Sequence, residues 1–90
     1  MFINKAKDGT HNLCGAKVAA LRKEMGLSQR ALADRLQLDG LDIDKNAIQR
    51  LECGKRFVTD IELVALARVL RVSVELLVTE SARHTVAVAP

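Results

Sequence analysis

Twice between Gly26 and Arg56 the chain ends one helix and begins another within a few residues, and this spacing constrains the fold more than any other feature. Gly26 suits a left-handed helix stop, and Leu27 suits the hydrophobic contact that follows such stops. Ser28 is an N-cap for the segment Arg30-Ala31-Leu32-Ala33-Asp34-Arg35-Leu36, whose buried side is Leu32, Ala33 and Leu36. Asp39-Gly40 signals a turn. Asp44 caps a second short segment, Asn46-Ala47-Ile48-Gln49-Arg50-Leu51-Glu52, which turns Ile48 and Leu51 inward. Gly54 stops it, and the cations Lys55 and Arg56 follow.

The remainder reads as scaffold for that unit. Residues Met1 to Leu13 are polar and glycine-containing, an arm or irregular lead-in. From about Gly15, Val18, Leu21 and Met25 recur at helical spacing. Thr59-Asp60-Ile61-Glu62 is a capping box, flanked by Val58 and Leu63 as a hydrophobic staple. Leu63, Leu66, Ala67 and Leu70 then mark a core face. Ser73 caps a short fifth helix, with Val72 and Leu77 as a second staple. The last residues, from Ser81 to Pro90, lack a helical period and read as a loose tail or a short strand. The pattern predicts one all-α domain of about five short helices, divided as an arm over 1–14, a helical domain over 15–80 and a tail over 81–90.

Composition narrows what such a bundle can do. Ninety residues allow one small domain with a modest aliphatic core. Aromatic residues are 2% of the chain, which argues against binding single strands by stacking. A net charge of +3 permits an anionic partner. No hydrophobic run suits a secretory signal or a membrane span, so a cytoplasmic chain with reduced Cys14 and Cys53 is expected.

Two short helices joined by a turn, with cations just after the second, form the layout of a helix-turn-helix DNA reader. Residues Gly15 to Val78 resemble the phage-repressor-like, or Xre-type, helix-turn-helix family. The resemblance rests on Leu21-Arg22, Gly26-Leu27-Ser28-Gln29, Leu32-Ala33, Ile48, Leu51-Glu52, Gly54-Lys55-Arg56, Leu70-Arg71-Val72-Ser73 and Leu76-Leu77, met in the family's order. It implies a lambda-repressor-like fold of five helices, of which the second and third read DNA. Two departures stand out. The turn from Gln37 to Asp44 is longer than usual by about five residues, since such turns are normally tight. Arg71 stands where the family usually has glycine, and a left-handed arginine costs of order 1 kcal/mol.

Long polar side chains on the exposed start of helix three suit base reading. Arginine and lysine donate to guanine, and asparagine and glutamine pair with adenine. By resemblance, Lys45, Asn46, Gln49 and Arg50 fall at base-contacting positions. Gln29, Lys55 and Arg56 fall at places that contact the phosphate backbone, where no base geometry is needed. Arg22 and Glu52 match a partly buried structural ion pair that joins helix one to the end of helix three. Carboxylates repel phosphates, so Asp39 and Asp42 should point away from the duplex while Asp44 caps helix three.

Enzyme constellations are absent. His11 and His84 stand isolated near the termini, Cys14 and Cys53 lack ligand spacing, and Cys53 reads as a small inert residue. No metal or cofactor is expected. The expected protein is a sequence-specific double-stranded DNA-binding transcriptional regulator, acting as a repressor and as a homodimer. Dimer surfaces are expected on Val74, Leu77, Val78, Val86 and Val88. The alternative is an antitoxin-like or adaptor module whose main partner is another protein.

Overall fold

The computed structural model describes residues 5, 6 and 9–79. Among these are five α-helices and no strand: α1 (Gly15–Glu24), α2 (Gln29–Leu38), α3 (Lys45–Glu52), α4 (Asp60–Leu70) and α5 (Val74–Val78). Side-chain caps open four of them. Ser28 Oγ accepts from the Ala31 amide, Asp44 Oδ1 from Ala47, Thr59 Oγ1 from Glu62 and Ser73 Oγ from Leu76. Glu62 Oε1 accepts in turn from the Thr59 amide at 3.0 Å, which completes the capping box.

The helix ends follow one rule. At each of the first four, an amide two or three residues past the helix end bonds back to a carbonyl five residues earlier: Leu27 to Arg22, Leu41 to Leu36, Lys55 to Arg50 and Val72 to Ala67. This geometry needs a left-handed residue just before the bonding amide. Gly26, Gly40 and Gly54 supply it in three cases, and Arg71, at φ 62°, supplies it in the fourth.

Burial follows the apolar periodicity. Val18 of α1, Leu32 and Leu36 of α2, Ile48 and Leu51 of α3, Leu66 of α4 and Leu77 of α5 are sealed from solvent in one core. In this core α3 packs on α1 and α2, while α4 packs on α1, α2 and α5. The turn before α3 is shorter than its sequence suggests. Helix α2 continues through Leu38, so only Asp39 to Asp44 lie between the helices. Both ends of this turn are anchored. Arg68 of α4 grips Asp39, and Ile43 is buried while its carbonyl accepts from Gln37 Nε2 at 2.8 Å.

Helix α5 departs from expectation. Leu77 is fully buried and Val74 packs partly against the core, so neither offers a free apolar surface. A five-residue helix has one inward side, and Leu77 fills it. The exposed large apolar residues of these last two helices are Leu76 on α5 and Ile61 and Val64 on α4. In the expected arm over 1–14, the described residues 5, 6 and 9–14 form no helix or strand, and from Thr10 they are tied into the domain as described below. Val86, Val88, His84 and the rest of the tail lie outside the described residues.

Candidate nucleic-acid interface

Helix α3 is strongly one-sided. Ile48 and Leu51 seal its inner face, which leaves Lys45, Asn46, Gln49 and Arg50 exposed on the outer one. None of these four side chains has a hydrogen-bond or ion-pair partner among the described residues, so their donors and acceptors face solvent. Asn46, Gln49 and Arg50 are neighbours at i, i+3 and i+4, and Lys45 lies one turn before Gln49.

The far end of α3 is fixed by a buried polar cluster. Arg22 Nε and Nη2 donate to Glu52 Oε2 and Oε1 at 2.7 and 3.0 Å, and Arg22 Nη1 donates to the Leu27 carbonyl at 2.8 Å. The two side chains are 10% and 6% exposed. Glu52's hydrogen bonds raise the affinity of the Arg22 guanidinium for its proton, against the opposing effect of burial. Glu52 Oε1 also accepts from Gln29 Nε2 at 3.0 Å. A buried carboxylate needs donors for its remaining lone pairs, and Gln29 supplies one. Gln29, expected at the phosphate backbone, therefore spends one of its two amide hydrogens inside the protein.

Arg56 is engaged in the same way. Its Nη1 and Nη2 donate to Glu62 Oε1 and Oε2, both at 2.8 Å, in a forked pair. These bonds hold the Glu62 carboxyl below its ordinary range. The charge of Arg56 is thus largely met by α4. Lys55 is exposed and has no side-chain partner among the described residues. Of the three side chains expected to hold phosphate, it is the one with no partner among the described residues.

A second brace comes from the lead-in, and sequence reasoning missed it. Asn12 Nδ2 donates to the carbonyls of Leu51 and Arg56 at 3.1 and 2.8 Å, while its Oδ1 caps the Gly15 amide at 2.7 Å. The His11 amide donates to the Gly54 carbonyl at 2.8 Å. Gly54 packs so closely on Thr10 that a Cβ there would stand 2.5 Å from the threonine methyl. His11 is not isolated, because its ring lies 4.8 Å from that of Phe57. An asparagine three residues before a helix start is legible as a cap. Its bonds to a loop about forty residues away are not. Cys14 is buried at the start of α1, where burial pushes its thiol up, and Cys53 is exposed at the end of α3. No metal-holding group of three His, Cys, Asp or Glu and no membrane-length apolar helix occur among the described residues.

A short capped helix, outwardly polar, clamped at its far end and packed on a second short helix just before it, fits the helix-turn-helix class. A family model described as helix-turn-helix matches residues 18–77. The chain belongs to this Xre-type family of DNA-binding transcriptional regulators. Among solved structures it is similar to the restriction-modification controller protein C.AhdI from Aeromonas hydrophila, at 28% identity and a TM-score of 0.61. The match covers 70% of this chain and 84% of that one. No curated protein is a significant match.

Proposed function

We propose that the chain regulates transcription by binding a specific double-stranded sequence, with α3 in the major groove, and that it acts as a repressor by occupying promoter DNA. The observation that carries this reading is the row of four exposed, unpartnered polar side chains on a helix whose inner face and far end are both locked. Reading bases demands side chains that are free to bond and a backbone that does not move. Lys45, Asn46, Gln49 and Arg50 contact base edges. Lys55 contacts phosphate, while Gln29 and Arg56 hold the helix and loop beside it. Similarity to a restriction-modification controller supports a regulatory role for the DNA contact.

One α3 covers too few base pairs to select a site in a genome, so the functional unit is a homodimer. Exposed Ile61, Val64 and Leu76 provide apolar surface on α4 and α5 for pairing. Selection from a random DNA pool followed by footprinting tests the whole reading. The expected site is an inverted repeat with half-sites about 10 base pairs apart. Enrichment of no sequence, or saturation of one asymmetric half-site by a monomer, would overturn it.

A further inference from the structure

Arg71 is the one described residue other than glycine with a left-handed backbone, at φ 62° and ψ 42°. The same helix stop uses glycine in α1, α2 and α3, so the fold itself asks only for glycine here. A strained residue that persists where an unstrained one would serve points to a task for its side chain. Favourable charge at the end of α4 does not explain it, since Arg68 already provides a cation in the last turn.

The surroundings of Arg71 indicate the task. With Arg35, Leu38, Asp39, Arg68 and Val69 it lines an open recess of about 430 Å³ between the ends of α2 and α4. Three guanidinium groups there face one carboxylate. Arg68 uses Nε and Nη2 on the Asp39 oxygens at 2.8 to 3.1 Å, while Arg35 and Arg71 have no side-chain partner among the described residues. In their midst stands Leu38, 89% exposed and the most exposed large apolar side chain of the described residues.

We propose that this recess is a docking site for an acidic segment of a partner protein, whose carboxylates pair with Arg35 and Arg71 and whose apolar side chain covers Leu38. Charge complementarity sets the sign of the partner, and the planar forks of two free arginines suit carboxylates held at a spacing. Nucleic acid fits less well. A leucine gains nothing beside phosphates, whereas an apolar side chain of a peptide can cover it. None of the residues that line the recess lies on α3.

Fluorescence anisotropy of the full chain tests the site, with a labelled helical peptide in which glutamates flank a leucine and a control in which each glutamate is glutamine. The expected result is salt-sensitive binding of the glutamate peptide alone. R71G and L38S should each weaken it by about tenfold or more, with affinity for double-stranded DNA unchanged. R71G should also melt at a higher temperature than the natural chain, because glycine relieves the strain, so lost binding is not lost folding. Absence of binding to the glutamate peptide overturns the proposal, as does full binding by R71G. A parallel loss of affinity for random-sequence DNA in R71G would instead make the recess a phosphate contact. A fall in sedimenting mass in L38S would make its occupant a second copy of the chain.

Discussion

Glu52 joins three elements through one carboxylate. It holds Arg22 of α1 and Gln29 of α2 while ending α3. With both charged side chains nearly sealed, loss of one partner strands the other, and such losses cost about 3–5 kcal/mol. Glu52→Ala should therefore lower the unfolding free energy from urea melts by that order, and Arg22→Ala should do the same. The double variant should cost much less than the sum, since neither charge is then left behind. Small additive effects would mean that the pair contributes little. Glu62 yields a pH dependence. Arg56 holds its carboxyl below the ordinary value of about 4.3, so the folded state prefers the ionised form. The stability this confers is complete above that value and is lost as pH falls through the lower, folded one. Thermal melting between about pH 5 and pH 3 should show it, with a contribution of about 1 kcal/mol for a pair still partly open to solvent. Glu62→Gln should be less stable at neutral pH and flatter across that window. Asp39, lowered by its bonds to Arg68, leaves a residual slope of the same sign.

At the scale of elements, α3 is placed by close contact as much as by apolar packing. Gly15 begins α1 against the backbone of α3's end, and a Cβ there would collide with the Leu51 carbonyl. Gly15→Ala should destabilise the fold by about 1–3 kcal/mol, the usual cost of overpacking, since a backbone atom cannot rotate away. Calorimetry measures it, and a wild-type melting temperature would show that α1 and α3 are less tightly joined. The elements themselves were legible in the sequence because local chemistry dictates them. Ser28, Asp44, Thr59 and Ser73 cap the helices as read, and the inward Ile48 and Leu51 follow from helical spacing. What was not legible depends on distant partners. Nothing local tells that Arg56 turns to Glu62, that Gln29 turns to Glu52 or that Asn12 reaches the end of α3. Helix α5 was misjudged for a related reason, because five residues give too little periodicity to fix which side is buried.

For the molecule as a whole, the polar outer face of α3, the apolar residues of α4 and α5 and the arginine recess are three separate surfaces on one small bundle. We propose the first for DNA, the second for a further copy and the third for an acidic partner. Central to the proposed function is that α3 reads base sequence. The most direct measurement is the affinity of the natural chain and of its Lys45, Asn46, Gln49 and Arg50 alanine variants for a selected site and its single-base-pair substitutions. The expected result is a loss of about 1–3 kcal/mol in the Asn46 and Arg50 variants, with preference relaxed at particular base pairs. By contrast, Lys55→Ala should weaken all sequences evenly and flatten the salt dependence. Wild-type affinity and wild-type preference in all four helix variants would contradict it.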